Sequence, residues 1–217
     1  MRYDLAVIII LILIIAGTLA IGRYKKIHNS YYPFLYLIWL GCINELLSLF
    51  LVLNGYQNAI NNNIYVLGES LLILYFFKNL KMFNKTGKIF LVLLSALIIL
   101  WFYENLILWK ITSVSTYFRI TYSFIAVLLS ITSINNLLLK VRKNIFTNPD
   151  FLVCAGFIIF FTYKILVEVF WLYGLTLSTT FRTLIYGIMD YINLFCNILF
   201  ALAVLWMPRK QIFTMST

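Results

Sequence analysis

A chain of 217 residues with 63% apolar and 11% charged side chains, and a mean hydropathy of +0.96, is not a water-soluble domain. Soluble domains carry about 45–50% apolar and about 25% charged residues. The formal charge of +10 does not mark a nucleic-acid surface, because the lysines and arginines gather in short connectors between apolar runs. That is the signature of membrane topology, with added attraction to anionic lipid headgroups. Cys42, Cys154 and Cys196 all fall inside apolar segments, and the single histidine, His28, stands in a basic connector. Neither a disulfide framework nor a His-built metal centre is expected, and no cofactor is implied.

In chain order, the first predicted span covers 5–21 and consists almost wholly of Leu, Ile, Val and Ala. The cluster Arg23, Lys25, Lys26 follows it rather than preceding it, which argues for a retained span with its N-terminus outside instead of a cleaved leader. With no polar residue at mid-span, it is expected to be the most lipid-facing helix. The second span, 34–53, carries Asn44 and Glu45 near its middle, and the third, 63–77, places Tyr65 and Glu69 at helical spacing. The fourth, 89–108, holds Trp101, Tyr103 and Glu104 near its far end.

The fifth span, 117–139, sets Arg119, Ser123, Ala126, Ser130 and Ser133 along one face, a pattern that lets membrane helices approach closely. The sixth, 151–174, contains Lys164 and Glu168 four residues apart, on one face of the helix. The seventh, 183–207, aligns Tyr186, Asp190, Asn193 and Asn197. The expected fold is thus an all-α integral membrane protein, a single bundle of seven transmembrane helices.

Charge sidedness orients it. One set of connectors holds twelve cations: Arg23, Lys25, Lys26, Lys78, Lys81, Lys85, Lys88, Lys140, Arg142, Lys143, Arg209 and Lys210. The other holds four: Arg2, Lys110, Arg119 and Arg182. The N-terminus is predicted outside and the C-terminus in the cytoplasm. Pro33, Pro149 and Pro208 all sit at span ends, so no proline kinks are expected. No repeat relates the two halves, as an inverted-repeat transporter would require.

The acids are the functional signal. Of seven, five lie inside spans: Glu45, Glu69, Glu104, Glu168 and Asp190. Ionisable residues in hydrocarbon are costly and by default mark a site. From the helical rise, Glu69 and Glu168 would sit roughly 10 Å below the outer edge, with Lys164 near mid-bilayer. A polar chamber opening outward is expected, lined by spans two, three, four, six and seven. Its ligand-binding set is Glu45, Glu69, Lys164, Glu168 and Asp190, with Asn44, Tyr65, Tyr186, Asn193 and Asn197 supplying hydrogen bonds. Lys164 is expected to pair with Glu168, Asp190 or Glu45. For Asn44, Asn193 and Asn197 the plainer reading is interhelical hydrogen bonding, and for Glu104 it is solvation near the interface. The half nearer the cytoplasm reads as apolar and closed.

Three stretches carry a resemblance: Asn63-Ile64-Tyr65-Val66-Leu67-Gly68-Glu69 with Asn44-Glu45 before it; Asn148-Pro149-Asp150-Phe151 leading to Gly156; and Asn193-Leu194-Phe195-Cys196-Asn197-Ile198-Leu199-Phe200-Ala201, ending in Trp206 and Pro208-Arg209-Lys210. In this order and spacing the chain resembles a family of small seven-span membrane proteins of unassigned activity found mainly in Bacteroidota. The resemblance implies the topology and a bacterial inner membrane. Lys164 and Asp190 depart from the family pattern, so it implies no shared mechanism through them.

The function these residues favour is a receptor-like or sensory membrane protein, with an outward pocket for a small polar or cationic ligand and basic connectors that dock a partner. An accessory subunit of a larger membrane assembly and an ion- or proton-coupled carrier are the alternatives. An intramembrane lipid enzyme is a weaker one: it would need a carboxylate pair such as Glu69 and Asp190, and no nucleophile motif accompanies them. Expected partners are membrane lipid, the ligand and a membrane protein.

Overall fold

The computed structural model describes residues 2–83, 87–140, 145–173 and 179–210. Lys85, Arg142, Lys143 and Gly174, and the side chains of Arg2, Asp4, Lys140 and Arg182, lie outside the described residues. The described chain forms seven long helices: α1 (Arg2–Arg23), α2 (Tyr32–Leu53), α3 (Ala59–Asn79), α4 (Lys88–Phe102), α5 (Thr116–Lys140), α6 (Pro149–Tyr173) and α7 (Thr179–Trp206). Each coincides with most of one of the seven apolar runs, the fourth run continuing beyond the end of α4. Their starts follow local chemistry. Pro33 stands in the first turn of α2, where its missing amide donor costs nothing. The Asn148 side chain accepts the Asp150 amide at 2.9 Å and caps α6. Gly55 and Gly87 hold φ of 72° and 62° in the turns after α2 and before α4, a region glycine enters without strain.

α4 does not stop at Phe102. It loosens into a π-helical turn, Tyr103–Leu108, closed by the Trp109 amide bonding the Glu104 carbonyl at 2.9 Å. This irregularity has no proline behind it, and the sequence pattern does not announce it.

Packing arranges six helices in a ring, α1–α2–α3–α5–α6–α7 and back to α1, with α4 resting outside against α3 and α5. The α5–α6 contact is the most extensive, as the small-residue row predicts: Ser123, Ala126, Ser130 and Ser133 are all buried. The α1–α7 seam closes the ring. Arg23 caps the end of α7 by donating to the carbonyls of Val204, Leu205 and Met207, while His28 and Lys210 exchange backbone bonds with Pro208 and Lys26 across the same end.

One expectation about placement is corrected. α1 is not the most lipid-facing helix: Ala16 and Ala20 are fully buried, and a Cβ on Gly17 would meet the Cys42 sulfur at 3.0 Å. Its small residues let it press against α2 and α7. The outermost helix is α4, whose Leu91, Val92, Ile99, Leu106 and Ile107 are exposed.

Large exposed apolar side chains coat the bundle on every described helix, an arrangement that suits lipid and not water. Five helices are long and apolar enough to cross a membrane, and a shorter apolar stretch, Ile8–Arg23, belongs to α1. The protein is a helical membrane bundle. α3 falls outside the five because its polar residues, among them Asn61, Asn62, Asn63 and Glu69, lower its hydropathy; Asn63, Glu69 and Ser70 are buried.

Candidate functional site

The ring encloses a cavity of about 130 Å³. Its walls come from α1 (Leu13), α2 (Phe34, Leu37, Ile38, Gly41, Glu45), α3 (Tyr65, Glu69), α6 (Phe157, Phe160, Phe161) and α7 (Asn193, Asn197, Phe200). The hollow is polarised along its length. About three turns of α2, or roughly 16 Å, separate Phe34 at one end from Glu45 at the other. Tyr65, Glu69 and Asn193 accompany Glu45. Phe34, Phe157 and Phe200 pack edge to face at 5.4–6.2 Å between ring centres and form the floor. Beneath them Phe76 and Phe77 are fully buried, so an aromatic plug seals that end.

Glu69 links the cavity to a buried charge network. Its Oε1 accepts the Tyr65 hydroxyl at 3.0 Å, and its Oε2 accepts the Lys164 ammonium at 3.0 Å and the Tyr122 hydroxyl. Lys164 also donates to the Tyr122 oxygen and lies 5.4 and 5.6 Å from the ring centres of Phe160 and Phe161. About one turn along the α5–α6 seam, Arg119 pairs with Glu168 at 3.3 Å.

Lys164 therefore pairs with Glu69 and not with the expected Glu168, Asp190 or Glu45. The order Lys then Glu at i, i+4 is the weaker one within a helix, and Glu168 is already engaged across the seam by Arg119.

The site residues expected from the sequence separate into two groups. Glu45, Tyr65, Glu69 and Asn193 line the cavity, with Asn197. Lys164 stands behind Glu69, and Glu168 is buried against Arg119. Asn44 does not reach the hollow: it accepts the Asn61 side chain at 3.0 Å and ties α2 to α3, the plainer role foreseen for it. Asp190 is absent from the wall but close enough for its charge to be felt at Glu45. Tyr186 is partly exposed and away from the hollow.

The fourth span, expected as a wall, contributes nothing, and α1 takes its place. Glu104 turns away from the cavity and accepts the backbone amides of Tyr117 and Phe118 at 2.9 and 2.6 Å, capping α5. It is buried, so the interface role expected for it is also corrected. The first amides of any helix lack intrahelical partners, these two among them, and a carboxylate also suits the positive end of the helix dipole.

Sequence reasoning missed three contributors. Tyr122 recurs with Arg119 and Ala126 at helical spacing, a signal that was readable. Asn63 locks the connector before α5, donating to the carbonyls of Ile111 and Ser113 and accepting from the Ser115 hydroxyl and amide. The phenylalanine floor gave no signal among 19 phenylalanines.

Among the described residues, no group of three or more His, Cys, Asp or Glu side chains forms a metal-binding cluster. The site is defined by two carboxylates, amides and a phenol at one end of a hollow and by aromatic rings at the other, within a helical membrane bundle. No protein-family model, curated protein or solved structure matches this chain, so fold and site rest on its own residues.

Proposed function

We propose that this protein is a receptor-like membrane protein that holds a small polar ligand in the cavity at the centre of its ring. All seven helices cross the bilayer in this reading, with the N-terminus outside. Twelve cations on one side against four on the other support that orientation. The polar end of the cavity then faces outward, and the phenylalanine plug faces the cytoplasm.

The observation that carries the proposal is a void inside the ring. Protein cores hold few voids larger than a water molecule. This one is lined by Glu45, Tyr65, Glu69, Asn193 and Asn197, side chains that hydrocarbon would exclude unless something polar met them. The sealed floor weighs against the carrier reading, which needs a path to the other side. Exposed Lys25, Lys26, Lys78, Lys81, Lys88 and Arg209 supply a basic surface for an acidic cytoplasmic partner or anionic lipid.

The test is ligand-induced stabilisation of the full chain in nanodiscs, using a panel of small amines, alcohols and carboxylates. Some member should raise the unfolding temperature. Gly41→Leu should abolish that rise, because Gly41 lines the hollow and an added Cβ would meet Leu13 and Tyr65 only at ordinary contact distances of 3.8–4.0 Å, so the larger side chain takes up cavity volume. No stabilisation by any compound, or the same stabilisation in Gly41→Leu, would sink the proposal.

A further inference from the structure

We infer that the cavity is built for a small organic monocation, an ammonium group carried on a short apolar body. This inference rests on the pocket reading above and names its ligand class.

Charge complementarity comes first. The buried Lys164 and the half-buried Arg119 are both committed: Lys164 to Glu69 at 3.0 Å, and Arg119 to Glu168 at 3.3 Å. Glu45 lines the cavity, and among the described residues it receives no hydrogen bond and forms no ion pair. Asp190 adds a second acid within electrostatic reach of it. An anion entering here meets acids, and a neutral guest brings no charge for the Glu45 carboxyl to pair with. An ammonium ion supplies the missing charge.

Shape and surface agree. A dry cavity of about 150 Å³ accommodates benzene, so the 130 Å³ here suits one ring or its aliphatic equivalent. The polar and aromatic ends match a molecule with one charged head and one apolar body. The phenylalanine floor offers its apolar surface to the body of the molecule, at the end away from the charged head. The protein also contains a tethered precedent. The Lys164 ammonium sits against the Glu69 carboxylate and beside Phe160 and Phe161, two rings that also line the cavity.

The experiment uses three probes of nearly one shape on the full chain in nanodiscs: benzylammonium, benzyl alcohol and benzoate, with affinity read by calorimetry. Benzylammonium should bind roughly tenfold or more tightly than benzyl alcohol, with benzoate weakest. Glu45→Gln should remove the preference for benzylammonium over benzyl alcohol. Gly41→Leu corrects for partition into lipid. Equal binding of the alcohol and the ammonium to the wild-type protein overturns the inference and leaves the pocket standing. Failure of all three probes, together with an empty result from the wider panel, overturns both. Since the wild-type comparison needs no variant, a misfolded Glu45→Gln does not blunt the test.

Discussion

Lys164 of α6 and Glu69 of α3 form an ion pair at 3.0 Å across 95 residues of sequence, and the Tyr122 hydroxyl of α5 closes the triangle. Three helices thus meet at one buried charge. Breaking such a pair from one side strands the other ion, at a cost of about 3–5 kcal/mol. Lys164→Met should lower stability by that amount in a denaturant titration of the full chain. Adding Glu69→Leu should recover part of the loss, because the stranded carboxylate is gone. A Lys164→Met protein as stable as wild type would show that the pair does not tie the helices together.

The Arg119–Glu168 pair behaves differently. Arg119 reaches Glu168 through one Nη, and its Nε and other Nη have no partner among the described residues. The site uses the charge of arginine and not its fork. Arg119→Lys should therefore cost less than about 1 kcal/mol, while Arg119→Met, which leaves Glu168 alone, should cost about 3–5 kcal/mol. The two variants measured side by side decide it; equal losses would show that the guanidinium shape matters.

Glu104 predicts a helix-cap phenotype. With its carboxylate accepting the amides of Tyr117 and Phe118, Glu104→Ala should cost about 1–2 kcal/mol. Hydrogen exchange should speed up in the first turn of α5 and stay unchanged at its far end. Glu104→Gln keeps one acceptor and should fall between. Uniform exchange along α5 in the alanine variant would contradict the cap.

Gly156 controls the cavity from outside its wall. A Cβ there would lie 2.5 Å from the Phe200 ring, which lines the hollow. Gly156→Ala should push that ring out of its place in the floor, cost about 1–3 kcal/mol through overpacking, and weaken any ligand held in the cavity. Phe200→Leu in the same chain should relieve the overpacking. Calorimetry with benzylammonium, alongside thermal unfolding, reads both effects.

The sequence by itself determined the class of protein and the seven helical segments, because apolar run length, connector charge and helix-end residues such as Pro33 and Asn148 act within a few residues of chain. It also marked the close α5–α6 seam through Ser123, Ala126, Ser130 and Ser133, and it named Glu45, Tyr65, Glu69 and Asn193 as polar groups that share a site. Tertiary structure alone decided which acid answers Lys164, that α1 and not α4 completes the cavity wall, and that Glu104 caps a helix. Helical periodicity says which side chains share a face. The neighbour that face meets depends on the order of helices around the ring and on the rotation of each about its axis, and short connectors leave both open until the whole bundle packs.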